Sequence, residues 1–222
     1  MPLGASITYG SGSTHGNGYR DYLRNLLVAD GYSVHMVGSV RAGIMENNDN
    51  EGWPGFRIDQ VEPKGISSAY RFLPNLVVLN AGTNDCIQNR DVARAGNRTR
   101  RLLERLWLAS PGSTILLSTL LVNDSKEGAE DRVLEFNEQM RYVAKQCEWE
   151  GKRIVLVDMH GGDGPGLEDL VDGTHPNDAG YEKWPSSGTG VSGGGVKGTW
   201  RAWRSSESRR WGSSRPPRCL PS

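Results

Sequence analysis

A serine lies in a small-residue turn near the N-terminus of this 222-residue chain, where Gly4-Ala5-Ser6-Ile7 leads into a glycine-rich loop. A serine between a strand and a helix can present its hydroxyl at the sheet edge while its own N–H faces a developing oxyanion. The same composition also forms an ordinary tight turn. Ser6 is therefore a candidate nucleophile that needs support from elsewhere in the chain.

The support comes from Asp172-Gly173-Thr174-His175, followed by Pro176. An aspartate three residues before a histidine can accept the Nδ1–H of the ring, which leaves Nε2 free to take a proton from a serine. Alone, each residue would be ordinary in a loop. Their joint occurrence with Ser6 favours a catalytic set in which Ser6 is the nucleophile, His175 the base and Asp172 its acidic partner.

Two further segments could stabilise an oxyanion. Gly82-Thr83-Asn84-Asp85 follows an apolar run, and the Asn84 amide would be a neutral donor at a strand end. An Asx turn would use the same residues. Gly55, in Gly52-Trp53-Pro54-Gly55, could offer a backbone N–H, although this segment alone indicates only a loop.

The other histidines carry less weight. His15 is predicted to be a loop residue, His35 to belong to a strand, and His160 to lie near the cleft without an acidic partner. The chain has no HExxH, CxxC or clustered carboxylate pattern, and its glycine-rich loop lacks the Lys-Ser/Thr ending of a phosphate-binding loop. The sequence therefore predicts neither a catalytic metal nor a cofactor.

Alternating apolar segments must position these groups. Helical spacing predicts one helix from Gly18 to Asp30, ended by Gly31, and further helices at 58–70, 91–109 and 129–150. Short apolar runs predict strands at 33–40, 76–80, 114–118 and 154–158. This order indicates an α/β fold with a doubly wound, mostly parallel sheet, in which ligands bind at the carboxyl ends of the strands.

Both ends of the chain are unusual. Only Met1-Pro2-Leu3 precedes Gly4, so the first strand is expected to be truncated. After Trp184 the composition becomes rich in Gly, Ser, Arg and Pro, with seven basic residues against one acidic, whereas residues 1–184 hold 19 against 25. We expect one domain over residues 1–184 and a disordered basic tail over 185–222. The tail could equally be a nucleic-acid or membrane contact or an unselected terminus.

Composition limits the function classes. The mildly acidic body makes nucleic-acid binding by the domain unexpected, and no apolar stretch is long enough to span a membrane. The N-terminus lacks the pattern of a signal peptide. Cys86, Cys147 and Cys219 do not form a disulfide scaffold, although a bridge between the first two stays open. Asn97-Arg-Thr and Asn123-Asp-Ser match the short pattern of glycosylation acceptors.

Taken together, the four segments resemble the four blocks of the SGNH/GDSL hydrolase family, in order, over residues 2 to about 184. The forms PLG-x-SITYG, EGWPG-x-RID, LNAGTND and DGTHPN-x-x-GY resemble most closely those of carbohydrate esterase family 3. This resemblance implies a flavodoxin-like three-layer α/β/α sandwich and a secreted serine esterase that removes acetyl groups from polysaccharide such as xylan. It implies Ser6, Asp172 and His175 as catalytic residues, and the Ser6 N–H, Gly55 N–H and Asn84 side chain as the oxyanion hole. We expect the chain to be a monomer.

The sequence departs from the family pattern at three points. Ala5 replaces the usual aspartate before the nucleophile, the first strand is nearly absent, and the last helix is expected to give way to the tail. A lipid esterase of the lysophospholipase or thioesterase type, and a catalytically impaired member of the family, stay open as alternatives. The chain has no long apolar lid segment, which favours short acyl groups.

Overall fold

A six-stranded sheet forms the centre of the protein. The computed structural model of the chain describes residues 1–162 and 164–184, so the expected disorder of residues 185–222 falls outside the described residues. The strands are β1 (Pro2–Gly4), β2 (Val40–Arg41), β3 (Asp49–Gly52), β4 (Leu76–Asn80), β5 (Thr114–Ser118) and β6 (Ile154–Val157). Their order across the sheet is β2-β3-β1-β4-β5-β6. Every neighbouring pair is parallel except β2 and β3.

Helices connect these strands. They are α1 (Ser6–Tyr9), α2 (Tyr19–Ala29), α3 (Ile58–Phe72), α4 (Thr83–Ile87), α5 (Ala95–Ala109), α6 (Ala129–Trp149) and α7 (Asp178–Lys183). Short 3₁₀ turns cover Val92–Arg94 and Leu167–Asp169. The predicted helices at 18–30, 58–70, 91–109 and 129–150 are confirmed, with end shifts of a few residues.

Each strand of the sheet centre sends alternate side chains to opposite faces. Val77 and Leu79 join the core cluster formed with α3, α5 and α6, whereas Val78 joins the cluster formed with α2 and α7. Because both faces are covered, residues 76–79 of β4 and 115–117 of β5 are continuously apolar, as predicted for buried parallel strands. The predicted three-layer α/β/α sandwich is confirmed.

The strand predicted at 33–40 is wrong over most of its length. Only Val40 and Arg41 form a strand, and β1 pairs on that side with β3 instead. The backbone N–H of Met36 donates to the Asn47 side chain, and that of Ser39 to Glu51 Oε1, rather than to a neighbouring strand. The polar segment β3 was not predicted because Asp, Asn and Gly are uncommon in strands.

The two ends of the described chain are short but ordered into the fold. β1 has three residues, as expected, and the Met1 amine just before it donates to Leu76 O at 2.7 Å. The expectation that a disordered tail replaces the last helix concerns residues outside the described ones; up to Trp184, α7 forms over six residues. The Asn177 side chain caps α7 by accepting the Gly180 N–H, and Tyr181 is fully buried.

Candidate active site

The turn that carries Ser6 lies at the carboxyl end of β1. Gly4 ends this strand, and a β-carbon there would lie 2.0 Å from Asn80 O and 2.4 Å from Thr8 Oγ1. Glycine therefore allows β1 to approach the end of β4 closely. Ser6 begins α1, and its side chain is partly exposed at the sheet edge.

Ser6 takes part in a chain of hydrogen bonds with two residues that lie about 170 positions away. His175 Nε2 is 2.8 Å from Ser6 Oγ, and His175 Nδ1 is 2.7 Å from Asp172 Oδ2. An ionised Asp172 must accept from Nδ1–H, which leaves Nε2 to accept from the serine hydroxyl. The structure thus brings Ser6, His175 and Asp172 together.

Asp172 and His175 belong to a tightly folded segment, residues 171–177, which we call the base-side loop. Val171 N donates to His175 O at 2.9 Å, and Asp172 Oδ1 accepts the backbone N–H of both Thr174 and His175. Burial raises the pKa of the Asp172 carboxyl, but hydrogen bonds from the His175 ring and from these two amides outweigh it and hold that pKa below its usual value. Asp172 is therefore ionised at neutral pH.

The glycine-rich loop after α1 packs against the base-side loop. A β-carbon at Gly12 would lie 3.0 Å from His175 Cβ and 2.5 Å from Pro176 O, so glycine is needed at this contact. The loop is tied to α7, because Thr14 donates to Asp178 and the Tyr181 hydroxyl donates to Ser11 O at 2.6 Å.

Arg20 fastens the same loop from the inside of the protein. This fully buried guanidinium donates to the carbonyls of Tyr9, Gly16 and Ala42 through Nη2 and of Asn48 through Nη1, at 2.8 to 3.0 Å. Burial lowers the pKa of Arg20. The burial of Arg20 was not predicted, since nothing in the pattern of α2 marks a buried arginine.

The two oxyanion candidates lie on segments that contact each other. We call residues 53–57 together with 82–85 the oxyanion side. Asn84 Nδ2 donates to Phe56 O at 2.9 Å, and Trp53 N donates to Gly4 O at 3.0 Å, which places this side next to the Ser6 turn. Gly55 is exposed, has φ +80 and has open space around its α-carbon. A left-handed φ favours glycine here.

A buried carboxylate links the second segment of the oxyanion side to the start of α3, which directly follows the first segment. Asp85, which is inaccessible to solvent, accepts the Ile58 N–H at 3.0 Å and Arg98 Nη2 at 2.8 Å. Burial raises the Asp85 pKa, and the hydrogen bonds from Ile58 and Arg98 oppose this rise. Asp85 lies within the Gly82-Thr83-Asn84-Asp85 motif, but no role was predicted for it.

A second buried carboxylate supports the tryptophan of this side. Glu51 accepts from the Ser68 hydroxyl at 2.5 Å and from Trp53 Nε1 at 2.8 Å. The Trp53 ring stacks on Phe56, with ring centroids 5.6 Å apart, and Lys64 Nζ lies over the Trp53 ring at 4.3 Å from its centroid. These contacts fix the loop that carries Gly55.

The expectation that His160 lacks an acidic partner is wrong. His160 Nε2 lies 2.7 Å from Glu130 Oε1. The partner was missed because Glu130 lies 30 residues earlier in the chain, in the first turn of α6, and only the fold brings the two together. His35 is exposed and lies outside any strand, contrary to its prediction.

Ala5 precedes Ser6 as the N-cap of α1. Its side chain is buried and forms no capping hydrogen bond. Cys86 and Cys147 are both free and buried, so no bridge joins them. Within residues 1–162 and 164–184, no group of His, Cys, Asp and Glu is arranged to hold a metal ion. None of the helices described is both long and apolar enough to cross a membrane.

Known proteins share both the sequence pattern and the fold. The model of the GDSL-like Lipase/Acylhydrolase family matches residues 3–183. A multidomain esterase of Ruminococcus flavefaciens is 29% identical over 211 residues, which cover 82% of this chain. The match spans 27% of the length of that relative.

Two solved structures are similar to the protein over nearly their whole length. The Clostridium thermocellum family 3 carbohydrate esterase has a TM-score of 0.75 at 23% identity, with 95% of this chain and 96% of that chain covered. A carbohydrate esterase family 3 protein from Talaromyces cellulolyticus has a TM-score of 0.73 at 18% identity, with 96% and 98% covered. These likenesses support the fold, and the family match covers most of the sequence. The chain belongs to the GDSL-like lipase/acylhydrolase family of ester hydrolases.

Proposed function

We propose that residues 1–184 form a serine esterase domain that hydrolyses O-acyl esters through an acyl-enzyme on Ser6. The observation that carries this proposal is the hydrogen-bonded series Ser6 Oγ, His175 Nε2, His175 Nδ1 and Asp172 Oδ2, with heavy-atom distances of 2.8 and 2.7 Å. Such a series gives a serine hydroxyl a base, and gives that base a fixed orientation.

The reaction has two halves. In the first, Ser6 Oγ attacks the ester carbonyl carbon while its proton passes to His175 Nε2, and the same proton then goes to the departing alcohol oxygen as the ester C–O bond breaks. In the second, water loses a proton to His175 and attacks the acyl-enzyme, which releases the acid and restores Ser6. Asp172 stays ionised and stabilises the imidazolium in both halves.

The negative charge of each tetrahedral intermediate would be stabilised by the oxyanion side. The Ser6 N–H, the Gly55 N–H and the Asn84 side chain are the proposed donors. Asn84 uses one amide hydrogen on Phe56 O, and the second hydrogen of Nδ2 stays available for the oxyanion. Preorganised donors of this kind usually contribute several kcal/mol to catalysis.

The proposed substrates are O-acetyl esters of polysaccharide. Two of the structural neighbours bear the name of family 3 carbohydrate esterases, and the matched relative is a multidomain esterase. The segments next to the base-side loop contain glycines, Thr14 and Asp178. These small and polar residues do not form a long apolar channel. A polar surrounding fits a sugar better than a long acyl chain.

The experiment compares the wild type with Ser6→Ala. We expect the wild type to hydrolyse p-nitrophenyl acetate, to release acetate from acetylated xylan, and to be labelled on Ser6 by a fluorophosphonate. Ser6→Ala should lose all three. Equal rates in the two proteins would contradict the proposal, and faster turnover of p-nitrophenyl decanoate than of the acetate would favour a lipid substrate.

A further inference from the structure

Asn123 uses every polar group of its side chain inside the fold. It lies in the loop after β5 and is 2% exposed. Its Nδ2 donates to Thr174 Oγ1 at 2.9 Å, and its Oδ1 accepts the Ser125 hydroxyl at 2.7 Å. Thr174 lies between Asp172 and His175, so Asn123 contacts the base-side loop at its centre.

The backbone next to Asn123 makes a second contact with the same loop. Asp124 N donates to Gly173 O at 2.9 Å. A β-carbon at Gly173, whose φ is +76, would lie 2.9 Å from Ser125 N, so residues 123–125 pack directly against Gly173. The base-side loop is thus held by one side chain and one backbone amide of this segment.

Asn123 is itself fixed to the core layers. Its backbone N–H donates to Glu130 Oε2 at 2.8 Å, and Glu130 Oε1 is paired with His160. Glu130 belongs to the first turn of α6, and His160 follows β6. A continuous set of hydrogen bonds therefore runs from α6 and β6 through Glu130, Asn123 and Thr174 to the base-side loop.

We propose that Asn123 is a positioning residue for the hydrolytic reaction, because it holds the base-side loop where Asp172 and His175 stay aligned with Ser6. The inference rests on the function proposed above. It also gives a structural role to a glycosylation-like pattern, Asn123-Asp-Ser, since its amide nitrogen is buried against Thr174. Small errors in the placement of reacting groups can lower the rate greatly.

The test uses two substitutions that break the same hydrogen bond from opposite ends. Asn123→Ala and Thr174→Val should each lower kcat for p-nitrophenyl acetate about tenfold with KM nearly unchanged. The double variant should lose less kcat than the two single effects combined would give, because both substitutions remove the same contact. Asn97→Ala is the control, since Asn97 has the same sequence pattern but is exposed on α5, and it should leave kcat and KM unchanged.

Measurements of stability distinguish a positioning role of Asn123 in catalysis from a role in stabilising the fold alone. The number of active sites is counted as moles of protein that a fluorophosphonate labels at completion, and kcat is expressed per active site. The free energy of unfolding is measured on the same preparations. A lower free energy of unfolding with unchanged kcat in both variants would overturn the proposal. If Asn123→Ala fails to fold, Thr174→Val, which keeps the side-chain volume, carries the same test.

Proton NMR provides a readout that needs no turnover. The Nδ1–H of His175, bonded to Asp172, should give a downfield resonance in the wild type, and this resonance should broaden or disappear in Asn123→Ala and persist in Asn97→Ala. An unchanged resonance in Asn123→Ala would overturn the positioning role. Wild-type protein without Ser6-dependent hydrolysis would instead contradict the proposed function, so the two failures are distinguishable.

Discussion

The base-side loop and the oxyanion side are held in place by different kinds of interaction. The base-side loop is held from outside by neutral groups, namely the Asn123 amide, the Asp124 N–H and the contact with Gly12. The oxyanion side is held by the buried carboxylates of Asp85 and Glu51. Neutral hydrogen bonds specify geometry at little electrostatic cost, whereas a buried carboxylate must keep all its partners.

This difference implies that substitutions on the two sides will damage the protein in different ways. Breaking a contact of the base-side loop should mainly reduce turnover, because the loop is short and close to the surface. Breaking an anchor of the oxyanion side should also reduce stability, because a charge or its partners would be left buried without compensation.

The largest expected effect on the base side follows from Asp172→Asn. An amide at this position can donate to Nδ1 and thereby favour the wrong tautomer of His175, so we expect kcat for p-nitrophenyl acetate to fall about 10⁴-fold. The loss of stability at neutral pH should be modest, because only the stabilisation that lowers the Asp172 pKa is removed. Steady-state kinetics and denaturant unfolding of the same preparation measure both quantities.

The matching substitution on the oxyanion side is Asn84→Ala, which should lower kcat by about 10²- to 10³-fold. The exposed Asn25→Ala serves as the control and should keep the wild-type rate. If Asn84→Ala retained full kcat, the assignment of its amide to the oxyanion would be wrong.

The next largest effect concerns the anchor Asp85. Asp85→Ala leaves the Ile58 N–H and Arg98 without their buried acceptor, so we expect a loss of about 3 kcal/mol in the free energy of unfolding, together with a reduced kcat. Asp91→Ala is a matched control because Asp91 also binds Arg98 but at the surface, and its effect should be much smaller. Similar losses in the two variants would show that burial does not distinguish these ion pairs.

The smallest expected effect concerns stability at acidic pH, where the contributions of Asp172 and Asp85 should change in opposite directions. The pKa of Asp172 is lowered by the fold, so its contribution to stability is present above its unfolded pKa and is lost as the pH falls through the folded pKa. The pKa of Asp85 is raised by burial, so the folded state becomes more favourable at this site as the pH falls through that raised value.

Denaturant titrations from about pH 7 to about pH 3 measure this contrast. The stability advantage of the wild type over Asp172→Asn should shrink as the pH falls. Relative to Asp85→Asn, the wild type should gain stability between the unfolded and folded pKa values of Asp85. The same sign for both pairs would contradict the electrostatic difference between the two sides.

The sequence was sufficient where the physical signal was local. The apolar runs at Leu76–Asn80 and Thr114–Ser118 predicted buried strands because both faces of each strand are covered. The spacing of Asp172 and His175 predicted their mutual hydrogen bond because three residues of a loop suffice to form it. These interactions depend on neighbours in the chain.

The sequence was insufficient where partners are distant or a strand is polar. β3 has the sequence Asp-Asn-Glu-Gly, and its burial depends on partners such as Ser68. Hydrophobic periodicity in the sequence does not reveal such partners. The pairing of His160 with Glu130 and the bonds of Asn123 with Thr174 join residues 30 and 51 positions apart. Tertiary contacts of this kind do not leave a local pattern.

Arg20 also affects how freely the surrounding loops can vary. Among the described residues, its guanidinium binds main-chain oxygens alone, from the segments that contain Tyr9, Gly16, Ala42 and Asn48. A main-chain oxygen is present whatever the side chain, so this anchor places no chemical demand on the identity of those residues. The sequences of these loops can therefore change while one internal arginine preserves their path beside Ser6.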